Sequence, residues 1–157
     1  MGIRVGTFNA TALGSVEQAR AWARTSAAAG FDALWFPQVM GLDALTTIAV
    51  VADDVPDVHL GTAVVPIQGR HPLPLALQAL TVAGVAGPGR CTVGLGVTHA
   101  AVSEGWFGIP YRGIVDACAE VLASPRREEF PSGVTPSAAS AVRRTLEALA
   151  GTTLVPA

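Results

Sequence analysis

The sequence contains no lysine; all ten of its basic residues are arginine. We read that as the base composition of the gene rather than as chemistry. Charge of either sign is sparse, at 14% of residues, with a formal net charge of -2. A phosphate backbone needs a basic face, so nucleic acid is excluded as the main partner. Cysteine is limited to Cys91 and Cys118, neither in a CxxC pair nor beside a histidine at ligand spacing. That excludes a zinc site and fits two ordinary thiols in a reducing compartment. No stretch approaches the roughly 18 consecutive apolar residues of a membrane span. The opening "MGIRVGTFNATALG" has neither an apolar signal core nor a cleavage-like ending. The expectation is a soluble, cytoplasmic protein without a membrane partner.

What is present is a chain of 157 residues, half of them hydrophobic, which suits one domain with a substantial core. Residues 3–10 read as a first strand. A helix follows over 15–30, with Ser15 as its cap, Gln18 at the capping-box position and Gly30 just past its end. Ala19, Trp22, Ala23 and Ala27 form its apolar stripe. Residues 33–39 have the length and composition of a second strand. A second helix starts at Asp43 and stops before Pro56. A β-branched third strand covers 58–66, a third helix 72–87, and a fourth strand 91–98. This β-α-β-α-β-α-β order, with strands apolar on both faces, implies a parallel sheet covered by helices. Right-handed crossovers restrict it to a doubly wound sheet or part of a (βα) barrel. We therefore expect an α/β fold: a partial TIM-type barrel of about four parallel strands with flanking helices and a C-terminal helix. The chain is read as one domain, with a half-barrel over 1–112, a helix and loop over 113–134, and a last helix over 135–151. Thr135 caps that last helix and Gly151 ends it.

In parallel α/β folds, ligands sit at the carboxyl ends of the strands. The stretch "GLGVTH" (94–99) resembles half of a dinucleotide fingerprint, with His99 where the third glycine belongs. Gly94 and Gly96 either let a ring lie against bare backbone or serve tight strand packing. Thr98 and His99 are candidate hydrogen-bond donors to phosphate or hydroxyl groups. Arg70 and His71 either meet an anionic tail or belong to a solvated loop in which His71 fixes the next helix start. Gln38, at a strand end, either touches a flavin-like edge or is satisfied by backbone. Trp106 and Phe107 read as core or interface residues, His59 lies at the amino end of its strand, and Glu104 reads as a cap or surface residue. No triad, carboxylate pair or metal cluster is visible, and no catalytic side chain stands out.

Taken together, "AGFDALWFPQVMGLDALTTIAVVADDVPDVHLGTAVVPIQGRHPLPLALQAL" and "TVGLGVTHAAVSEGWFGIPY" resemble the bacterial luciferase-like family, and within it the oxidoreductases that use the deazaflavin coenzyme F420. The resemblance covers roughly residues 3–112. It implies a (βα)8 barrel, hydride transfer to or from F420 (alternatively FMN), and a small-molecule substrate. It also implies a bulge with a non-prolyl cis peptide after the third strand, at Gly61, Thr62, Ala63 and Val64, against which the ring packs. Val97, Thr98 and His99, together with Gly96, fall on the loop that meets the cofactor. Gln38 matches the residue usual in that branch, and Phe8 stands at the end of the first strand. A full barrel takes about 250 residues, so strands five to seven and most of the eighth unit are expected to be absent. The exposed edges this leaves imply a homo-oligomer, or a heteromer with a related barrel chain. The alternative function is a non-catalytic remnant that acts through oligomerisation.

Overall fold

The structure is a computed structural model, described here for residues 5–111. The expected helix and loop over 113–134, the last helix over 135–151 and Cys118 lie outside the described residues. The elements alternate as the apolar pattern requires. They run β1 (Gly6–Phe8), α1 (Val16–Ala28), β2 (Ala33–Phe36), α2 (Ala44–Val51), β3 (His59–Thr62), β4 (Val65–Pro66), α3 (Pro72–Ala86), β5 (Cys91–Thr92), β6 (Leu95–Gly96) and α4 (Ala100–Gly105). The pairings are all parallel, in the order β1-β2-β3-β5, with β4 and β6 forming a separate pair.

Local chemistry sets the helix starts. Ser15 accepts from Gln18 N, and the Gln18 side chain reaches back to Gly14 N, one residue before the position a capping box would use. Asp43 caps α2 by accepting from Thr46 N at 2.8 Å. His71 caps α3 through Nδ1, which accepts from Leu73 N at 3.3 Å. Gly30, with φ of 88°, closes the end of α1.

Strand register divides the sheet into two faces. Leu34, Phe36, Leu60 and Cys91 point to the helix side. There they join Ala19, Ala23, Leu45, Ile48, Val51, Leu75, Ala79 and Val82 in one core. Trp22 meets Phe36 edge-on, with ring centroids 5.0 Å apart. Two polar ties bind the helix layer. Arg20 and Arg24 both reach Asp54 at 2.8 Å, joining α1 to the turn after α2. The Arg90 guanidinium donates to the carbonyls of Ala52, Val55, Val58 and Ala86, gathering the ends of α2 and α3 at the foot of β3.

The opposite face carries Phe8, Trp35, His59, Gly61 and Thr92. It is mixed rather than apolar, because His59 Nε2 lies 2.8 Å from Thr92 Oγ1. A Cβ on Gly61 would enter the indole of Trp35, so this glycine exists to let Trp35 lie across the strand. Among the described residues, β1 and β5 are the edges of the four-stranded sheet.

The continuous strands expected over 58–66 and 91–98 are each broken in two. A cis peptide joins Ala63 to Val64, and beyond it β4 leaves β2 and pairs with β6 instead. Thr62 is 1% exposed, and its hydroxyl donates to Gly94 O at 3.0 Å and accepts from Gly94 N at 2.8 Å. This hydroxyl replaces ladder hydrogen bonds at the break. Among the described residues, no helix is long and apolar enough to cross a membrane.

Candidate functional site

Because every strand is parallel, the loops after β2, β4 and β6 emerge on the same side. They enclose a cavity of about 600 Å³, within the range of small-molecule sites. Its wall takes Pro37, Gln38, Val39, Met40 and Gly41 from the loop after β2. Ala63 and Val64 come from the bulge, Pro66, Gln68 and Arg70 from β4 and its loop, and Val97, Thr98 and His99 from the loop after β6. Val102, Trp106 and Phe107 complete it from α4 and the residues beyond. A neighbouring recess of about 10 Å³ between the loops after β1 and β2 has room for about one water.

The framework of the cavity is backbone chemistry. Gln38 N donates to Val64 O at 3.3 Å, which ties the loop after β2 to the bulge. Val65 N donates to Gly94 O and Ile67 N to Gly96 O, which holds the bulge against β6. The glycines there serve that approach. A Cβ on Gly94 would strike the Thr62 carbonyl, and one on Gly96 would strike the Val64 side chain. The spacing that resembled a nucleotide fingerprint is thus explained by packing against the bulge.

Six of the ten expected contact residues line the cavity: Gln38, Ala63, Val64, Val97, Thr98 and His99. The other four stand outside its lining. Phe8 is half exposed on the sheet's open face, Gly61 lies under Trp35, Thr62 is sealed against Gly94, and Gly96 lies beneath Val64. Arg70 pairs with Asp43 at 2.5 Å and donates to Gln78 at 3.0 Å, so its charge is already matched. Burial raises the Asp43 pKa, but hydrogen bonds from Thr46 N and Arg70 outweigh it and hold the carboxyl below its ordinary value. His71 is the helix cap, as the loop reading held. Glu104 accepts from Tyr111 N at 3.0 Å, which is a surface turn contact.

Of the two roles expected for Trp106 and Phe107, core or interface, the core one does not hold. They are 60% and 46% exposed and wall the cavity mouth together with Met40. Val39 was among the strand-end residues expected on the ligand side, whereas Met40 and Gln68 gave no signal as site residues in the sequence. Only their position one loop after a strand end marks them. α4 is also new, and the six-residue stretch is too short to show helical periodicity. Among the described residues, no group of histidine, cysteine or carboxylate side chains is placed to hold a metal.

Residues 2–128 match the family model described as luciferase-like monooxygenase. The chain belongs to that family. Over 80 residues it is 40% identical to a Mycobacterium tuberculosis protein provisionally named a coenzyme F420-dependent oxidoreductase, spanning 51% of this chain and 23% of the relative. Two solved members of known cofactor use superpose on most of it. One is the oxygenating constituent of 3,6-diketocamphane monooxygenase from Pseudomonas putida in complex with FMN, with a TM-score of 0.67, 15% identity and coverage of 83% of this chain and 41% of that one. The other is the coenzyme F420-dependent tetrahydromethanopterin reductase from Methanopyrus kandleri, with a TM-score of 0.63, 17% identity and coverage of 85% and 42%. These likenesses establish the partial (βα) barrel. The chain spans about a quarter of its M. tuberculosis relative and less than half of the solved neighbours.

Proposed function

We propose that this chain carries the ring-binding side of a flavin- or deazaflavin-dependent oxidoreductase site, with coenzyme F420 as the first candidate and FMN as the alternative. The observation that carries the reading is the cavity between the Ala63–Val64 bulge and the Val97–His99 loop, in a chain of the luciferase-like monooxygenase family. The residues suit a flat heteroaromatic ring. Ala63, Val64, Pro66 and Val97 offer apolar contact, while Gln38, Gln68 and Thr98 supply polar groups for its edges. A bound flavin or deazaflavin supplies hydride chemistry, exchanged here with a small organic substrate. The chain's own residues bind and orient. Trp106, Phe107 and Met40 exclude water from the mouth, and the bulge sets the depth of the floor.

Among the described residues β1 and β5 are the sheet's edges, which supports self-association. A two-fold axis along the strands brings the β1 edge of one copy to the β5 edge of the other, twice, with every strand still parallel. The same arrangement accommodates a related barrel chain as partner. One experiment tests both readings. Purified protein is titrated with F420 and with FMN while fluorescence and oligomeric mass are followed together. Micromolar binding by a dimer is expected. A folded monomer that binds neither cofactor refutes the proposal.

A further inference from the structure

Two glutamines line the cavity from different loops, Gln38 after β2 and Gln68 after β4. Each has its side-chain oxygen committed to the backbone. Gln38 Oε1 accepts from Ala44 N, in the first turn of α2, at 2.8 Å. Gln68 Oε1 accepts from Thr98 N, in the loop leading to α4, at 3.1 Å. A backbone N–H only donates, so the oxygen of each amide, never its nitrogen, must face it. A glutamine is ordinarily two-sided, since rotation exchanges its donor and acceptor ends. These two are not. Turning either amide over would set two donors face to face and orphan a backbone N–H. What is fixed by this is the place of the NH2 group, which is left as the donor end of each side chain beside the second lone pair of the committed oxygen. Among the described residues, no aspartate or glutamate lines the cavity.

We infer that Gln38 and Gln68 are specificity-determining donors, locked by Ala44 N–H and Thr98 N–H, that select a ligand edge made of hydrogen-bond acceptors. Ring carbonyls, ring nitrogens without hydrogen, or an oxyanion fit that requirement. An edge that sets a donor against either NH2 group is disfavoured. The identity of the ligand rests on the proposed function; the orientation of the two amides does not.

The test uses Gln38→Glu and Gln68→Glu. Each keeps an oxygen for the backbone N–H and exchanges the NH2 for a second acceptor. Gln38→Leu removes both. Hydrogen exchange of the Ala44 amide is read in the full chain by NMR, and binding is read by titration with FMN and with F420. The expected result is that Ala44 protection is retained in Gln38→Glu and lost in Gln38→Leu. Binding of whichever cofactor the wild type takes should weaken about 10- to 100-fold in each Glu variant, the effect of leaving a buried polar group opposed. Glu variants that bind like the wild type, or an Ala44 amide unprotected in Gln38→Glu, overturn the inference. A wild type that binds neither FMN nor F420 overturns the proposed function and the ligand assignment, and the exchange data then decide the amide orientation alone.

Discussion

The Thr62 hydroxyl bridges the joint between the two halves of the sheet alongside backbone bonds from Val65 and Ile67, and Thr62→Val measures what it contributes. The side chain is 1% exposed, and valine has nearly its shape, so the substitution leaves no cavity. It removes two hydrogen bonds. Gly94 O keeps Val65 N as a donor at 2.8 Å, so losing the bond from Thr62 costs about 1 kcal/mol. Gly94 N has no other acceptor among the described residues, and stranding it inside the protein costs about 1–3 kcal/mol. The extra apolar burial of a methyl group offsets a fraction of this. The net expectation is a loss of about 2–3 kcal/mol. Equilibrium urea unfolding should show a lower midpoint at unchanged slope, and the melting temperature should fall by about 6–12 °C for a chain of this size. Thr62→Ser, which keeps the hydroxyl and loses only the methyl, should cost about 1 kcal/mol. If valine costs less than serine does, the hydroxyl bridge is not what holds β3 and β4 to the strand beyond.

Two further outcomes follow from charged groups. The Asp43 carboxyl is depressed in the folded state, so its contribution is complete above the unfolded carboxylate pKa near 4 and is lost as pH falls through the lower folded value. Asp43→Asn keeps a competent helix cap but loses the ionic partner of Arg70. It should cost about 0.5–1 kcal/mol at pH 7, and denaturation curves of the two proteins should converge in acid; a gap that persists at pH 2 contradicts this account. Arg90→Leu leaves the carbonyls of Ala52, Val55, Val58 and Ala86 without their shared donor. Charge-assisted bonds contribute about 1.5–3 kcal/mol each but overlap strongly here, so a total loss of about 3 kcal/mol is expected by chemical denaturation. A loss under 1 kcal/mol would mean that water replaces the guanidinium without cost.

Much of the half-barrel was legible because its signals are local. Ser15, Asp43 and Gly30 mark helix ends by chemistry that acts within four residues, and the apolar run 33–36 marks a strand whose Leu34 and Phe36 are buried under the helices. The break at 93–94 was hidden, and the one at 63–64 was reached only through the family resemblance, which placed a non-prolyl cis peptide within 61–64, where it is found. "TAVVP" and "TVGLG" have the same β-branched and small composition whether the chain runs straight or steps sideways, and the step is decided by Thr62 meeting Gly94, more than 30 positions away. The site shows the same division. Gln38 and the 97–99 loop are marked by their place at strand ends. Gly96 was left open between ring contact and tight packing, and packing under Val64 is what is found; Gly61, expected against the ring, instead lies under Trp35, and no pattern along the chain reports which side chain leans across which strand. For Trp106 and Phe107 the sequence left core and interface open, and their exposure removes only the core reading.

The three tryptophans happen to sample three different environments. Trp22 is wedged in the helix layer against Phe36, Trp35 lies across the bare side of the sheet with His59 at 6.2 Å, and Trp106 stands at the cavity mouth. Variants retaining one indole apiece would turn intrinsic emission into three separate gauges. The first would follow unfolding, the second changes on the sheet face away from the helices, and the third the entry of a ligand. Events that a single bulk signal would blend could then be ordered in time.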